Sequence, residues 1–156
     1  MKAHTSANIL LLLLALLGSR ALFGGGVFII SPSGKLFGMP LSILDNSPFH
    51  NYLIRGIILF TILGTIPVVL VVALIKRPAS NPAEFFNCYK DMYWAWTYSI
   101  YCAFALIIWL QTEMTMLGVV HWSHSLHMAI AIAILFVALL PSVRNLYRRN
   151  EGINEK

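Results

Sequence analysis

Residues 56–75 read GIILFTILGTIPVVLVVALI, twenty positions without Asp, Glu, Lys or Arg. An α-helix rises about 1.5 Å per residue, so this run is about 30 Å long, the thickness of a bilayer's hydrocarbon core. Working outward, residues 92–112 and 114–143 are also free of charge, and residues 8–30 are apolar apart from Arg20. Spans are therefore expected near 8–30, 53–75, 93–113 and 119–141. Backbone in lipid must satisfy its own hydrogen bonds, and four segments of this length cannot close a barrel. The predicted fold is all-α: an integral membrane four-helix bundle, a single transmembrane domain over residues 1–156 with an apolar outer loop at 31–51.

Composition agrees. Of the 156 residues, 58% are hydrophobic and 11% charged, against about 45–50% and about 25% in soluble domains. A water-soluble domain is excluded, and disorder as well, because disorder needs low hydrophobicity. Eight of the eleven Lys and Arg lie on one side of the predicted topology: Lys2, Lys76, Arg77, Lys90, Arg144, Arg148, Arg149 and Lys156. Lys35 and Arg55 lie on the other. The positive-inside rule then makes both termini cytoplasmic and the chain a multi-pass inner-membrane protein. The net charge of +5 reads as topology, and no nucleic-acid partner is expected, since no basic patch lies on a soluble face.

Ser47-Pro48 and Asn81-Pro82, the latter with Glu84 in the first turn, are helix-start signals. They predict a second helix beginning near residue 47 and a third beginning near 81. That third helix would carry Phe85, Phe86, Tyr89, Tyr93, Trp94, Trp96 and Tyr98 through one interface, with Trp109 and Trp122 at the other. A rival reading of residues 1–21 is a cleaved signal peptide with Ser19-Arg20-Ala21 as the cleavage site; apolar character resuming through Ile30 opposes it. Cys88 and Cys102 fall three to four turns apart on the expected third helix, too far to bridge.

Few residues could carry chemistry. Arg20 is the most expensive, because a charge near mid-bilayer costs about 2.5–3.5 kcal/mol on insertion scales. It either snorkels and caps carbonyls, or faces inward to bind an anion or lipid headgroup. A second cluster comprises Gln111, Glu113, His121, His124 and His127. Zinc takes three or four N, O or S ligands, so Glu113, His121 and His124 are weak metal candidates, and amphipathic interfacial histidines are the plainer reading. Arg55 and Glu113 are matched in depth and expected to pair. The sharper expectation is an outward-facing polar pocket with Arg20 at its floor, His127 level with it, and Arg55, Glu113 and His124 at its mouth.

The loop 31–51 is apolar for a loop, with turn signals at Ser31-Pro32-Ser33-Gly34 and Asp45-Asn46-Ser47-Pro48. It is expected to fold over the bundle as plug or lid, with one helical turn between residues 40 and 44. Ala21-x-x-x-Gly25 and the Gly24-Gly25-Gly26 run should let another helix approach closely. Pro67 should kink the second span near Gly64 by freeing the Leu63 carbonyl. Gly24-Gly25-Gly26, Ser31-Pro32-Ser33-Gly34, Gly38-Met39-Pro40-Leu41, Leu44, Ser47-Pro48-Phe49, Gly56 and Leu59 together resemble a group of small bacterial four-helix membrane proteins, loosely DoxX-like. The resemblance covers roughly residues 15–65 and implies the fold and an inner-membrane setting, with no catalytic residues to carry over.

No nucleotide loop, nucleophile–base pair or inverted repeat is present. Three functions remain open: an accessory or structural membrane subunit, in a homo-oligomer or with a complex partner; a binder or enzyme acting on a small amphiphile such as a quinone or lipid headgroup; and a small oligomeric transporter. The residues name no cofactor.

Overall fold

The structure, a computed structural model, describes residues 3–45, 47–118 and 122–149. Lys2, His121 and Lys156, and residues 119–121 at the expected start of the fourth span, lie outside the described residues. Helix α1 (Ala3–Ile30) leads through two 3-10 turns, Lys35–Phe37 and Leu41–Leu44, to α2 (Leu53–Ile58). A π-helical segment, Leu59–Thr65, continues without a break into α3 (Ile66–Lys76). The short α4 (Asn81–Phe85) precedes α5 (Trp94–Leu117), α6 (Trp122–Leu139) and α7 (Pro141–Leu146). Among the described residues, four helical stretches are long and apolar enough to cross a membrane: His4–Ile30, Leu53–Lys76, Trp94–Leu117 and Trp122–Leu139.

In each of these four only 33% of the most apolar window is buried. The outward faces carry Leu12, Phe23, Ile75, Ile108 and Phe136, each exposed by more than 60%. Such a surface would aggregate in water and is what a helix turns toward lipid. Inside, Leu10, Leu14, Leu17, Leu70, Leu106 and Ile134 form a dry core.

The first two spans meet through glycine. A Cβ built on Gly25 would lie 2.6 Å from the Phe60 backbone nitrogen and 2.8 Å from the Gly56 oxygen, distances at which no side chain fits. One on Gly18 would lie 2.8 Å from Val68 Cγ2 and 3.1 Å from the Gly64 oxygen. The close-approach residues are thus Gly18 and Gly25 against Gly56 and Gly64; Gly24 and Gly26 have room. The second span bends its hydrogen bonding where Pro67 removes a donor. It takes up the loss as the π-helical turns, with the Thr65 hydroxyl donating to the Phe60 carbonyl at 3.0 Å.

Two helix starts differ from expectation. The second span begins at Leu53, not near 47, and Asn51 Oδ1 accepts from the Leu53 N–H at 3.0 Å. The third does not run on from 81. Helix α4 ends at Phe85 because Asn87, fully buried, diverts the chain. Its Nδ2 donates to the Met92 carbonyl at 2.9 Å and to Glu84 Oε2 at 3.1 Å, while Oδ1 accepts from Thr97 Oγ1 at 2.6 Å and from the Tyr89 N–H. Side-chain bonds of this kind offer the backbone an alternative to helix. Cys88 consequently precedes α5 instead of sharing a helix with Cys102.

The chain after α7 closes this end. Tyr93 N donates to the Tyr147 carbonyl and Arg149 N to that of Asp91, at 2.9 and 2.8 Å. Arg149 pairs with Glu84 at 3.0 Å, and the Arg77 guanidinium sits 5.0 Å from the Tyr147 ring centre. Burial pushes the Tyr147 phenol above its ordinary range, with Arg77 partly opposing.

Candidate functional site

The polar cluster forms at the opposite end, under the loop 31–51. Tyr52 is fully buried there, stacked on Phe28 with ring centres 5.1 Å apart. Its hydroxyl donates to the Pro40 carbonyl at 3.0 Å, and its N–H to that of Pro32 at 2.9 Å. Gly34, at φ 73°, makes the turn that lets Met39 and Tyr52 close on it; a Cβ there would lie 2.5 Å from the Met39 oxygen. Leu44 completes this small second core. The expected helical turn is the 3-10 turn Leu41–Leu44, and the loop does fold over the bundle.

Arg55 projects from the first turn of α2 beneath this cap. Its guanidinium carbon lies 5.2 Å from the Phe28 ring centre and 5.9 Å from that of Tyr52, both within cation–π range. Its Nε is 2.6 Å from Glu113 Oε1 on α5, and Glu113 Oε2 is 3.6 Å from His124 Nε2 on α6. The side chains of Arg55, Glu113 and His124 are 14%, 9% and 8% exposed, so the group is withdrawn from solvent. The Arg55–Glu113 contact is close without being aligned as a hydrogen bond, and Arg55 NH1 is buried with no acceptor among the described residues. The three charged or polar side chains, with Phe28, come from all four spans.

A cleft of about 50 Å³ adjoins the pair, lined by Ser47, Phe49 and Asn51 of the loop and by Trp109, Thr112 and Met116 of α5, among others. That is room for a few waters and far below the roughly 300–1,000 Å³ of typical small-molecule pockets.

Of the five expected pocket residues, the structure brings together Arg55, Glu113 and His124. His127 is apart from the cleft, its Nδ1 2.6 Å from the Ser123 carbonyl one turn back on its own helix. A carbonyl can only accept, so this ring nitrogen carries the proton. Arg20 is not the floor of the pocket: its side chain is exposed on the outer face of α1. Counting round the helix explains the difference. Buried Leu10, Leu14, Leu17 and Ala21 fix the inward face, and Arg20 lies about 60° of helix rotation from Leu17 and about 100° from Ala21, outside that face. Depth matched Arg20 to the cluster, but azimuth did not. Among the described residues no group of three or more His, Cys, Asp or Glu could hold a metal ion. The metal candidate His121 lies outside them.

Phe28 and Tyr52 are site residues that pattern reading missed. Only the aromatic pair flanking the loop, with Arg55 three residues after Tyr52, signalled them. No protein family, characterised protein or solved structure matches the chain, and no residue role is carried over from another protein.

Proposed function

We propose that the chain is a multi-pass inner-membrane protein, both termini cytoplasmic, that serves as an accessory or structural subunit of a membrane assembly. The orientation rests on the eight Lys and Arg at one side. The observation that carries the role is that the polar cluster sets its opposite charges against each other across the bundle. Arg55, Glu113 and His124 meet between three spans, Phe28 adds the fourth, and the adjoining cleft of about 50 Å³ is too small for an amphiphile. The cluster is a clasp that sets how the spans meet. Its chemistry needs no substrate.

A second reading, a site for a quinone or lipid headgroup, draws on Arg55 NH1 being buried without an acceptor beside a cleft that Ser47, Asn51 and Thr112 line. Extraction of the intact protein and analysis of its bound lipid-soluble molecules separates the two. The clasp reading expects no stoichiometric quinone or single lipid species. A stoichiometric ligand that Arg55→Leu removes would establish the binding site instead.

A further inference from the structure

The clasp leaves one intramembrane charge unanswered. Arg20 forms no hydrogen bond or ion pair among the described residues and is exposed on α1. Its depth follows from the neighbouring span. Leu22 meets Gly64, and Gly18 meets Gly64 and Val68, so Arg20 is level with the middle of the uncharged run 56–75. From there to Ile30 is ten residues, about 15 Å of helix, more than an arginine side chain spans by snorkelling.

The face around it is apolar. Leu16 and Phe23 are exposed beside Arg20 on α1, within about 60° of it around the helix, and buried Leu17 bounds this face about 60° away on the other side. The guanidinium thus interrupts an otherwise apolar stripe. Polar side chains within spans are rare and pair with one another or with carbonyls across helices. A second copy of this chain offers no carboxylate at that depth. Of its six acidic residues, Asp45 lies in the loop, Glu84 and Asp91 lie between the second and third spans, Glu113 is buried in the clasp, and Glu151 and Glu155 follow the last span in sequence.

Resting on the subunit reading, we infer that this face of α1 docks a transmembrane helix of a different protein that carries an Asp or Glu near mid-bilayer, paired with Arg20. Leu16 and Phe23 give the helix–helix contact its packing.

The test uses the full chain in phosphatidylcholine vesicles, donor-labelled at exposed Cys88, Cys102 being buried. The probe is a synthetic poly-leucine transmembrane peptide with one central Glu, acceptor-labelled at either end in turn, compared with the same peptide without the Glu. The expected result is association of the Glu peptide at least about tenfold tighter, abolished by Arg20→Leu and retained by Arg20→Lys. Equal association of the two peptides, or no loss in Arg20→Leu, overturns the inference. So does Arg20-dependent energy transfer between labelled copies of the chain with no peptide present, which would make the face a self-contact. Continued protection of Cys102 shows that each variant is folded; Arg20 is outside the core, so its replacement leaves packing intact. Failure here with no bound quinone removes the partner's chemistry alone, whereas a stoichiometric quinone removes the subunit reading itself.

Discussion

Replacing Glu113 with Leu leaves the Arg55 guanidinium buried beside Phe28 and Tyr52 with its counter-charge gone. Breaking a buried ion pair from one side costs about 3–5 kcal/mol, because an uncompensated charge remains. At 2.6 Å the lost attraction is large, but the 14% exposure of the Arg55 side chain lets water reach it in part, so about 3 kcal/mol is the value expected here. Arg55→Leu strands Glu113 against His124 and should cost a similar amount. The double variant, Arg55→Leu with Glu113→Leu, removes both desolvation penalties and fills the space with apolar groups. It should lie within about 1 kcal/mol of the wild type, well short of the sum of the singles. Reversible unfolding in mixed micelles, followed by far-UV circular dichroism, gives all three values. Single variants costing under about 1 kcal/mol, the range of ordinary polar contacts between membrane helices, or a double variant equal to the sum, would refute the clasp.

Gly25→Ala should push the first two spans apart, because its Cβ meets backbone at 2.6 Å, while Gly24→Ala, with 3.8 Å to a side-chain methyl, should be silent; unfolding midpoints should separate the two by about 1–3 kcal/mol. Asn87→Ala removes the amide that satisfies Met92, Thr97 and Tyr89 and should cost about 1–3 kcal/mol, with faster hydrogen exchange at residues 86–93 as the local readout. A maleimide should modify Cys88 in the detergent-solubilised protein and leave Cys102 unmodified until the protein unfolds, as their exposure dictates; equal rates would contradict the packing of α5.

The helical architecture was legible because it depends on length and apolarity alone: the run 56–75 needs no partner to be read as a span. The Arg55–Glu113 pair was legible because both side chains lie near the same end of adjacent helices. Arg20 was misplaced because depth is written in the sequence as a count, whereas facing direction depends on which neighbouring residues pack inward. Its surroundings in the sequence are apolar apart from Ser19, so periodicity did not mark a polar face. The third span's start was missed for a related reason. Asn81-Pro82 does begin a helix, but the buried bonds of Asn87 that end it involve Met92 and Thr97, contacts that spacing does not announce. The glycines Gly18 and Gly64 emerged only with the crossing geometry of the two spans that use them.

A chain threaded through a bilayer with both ends on one side would expose Lys35 and Cys88 to opposite compartments. Cysteine accessibility tests this directly, using a membrane-impermeant maleimide on intact cells and then on permeabilised ones. A Lys35→Cys, Cys88→Ser chain should label in intact cells, whereas Cys88 in the wild type should label only after permeabilisation. Labelling of both positions from the same side would contradict the four-span arrangement, and with it the mid-bilayer setting of Arg20.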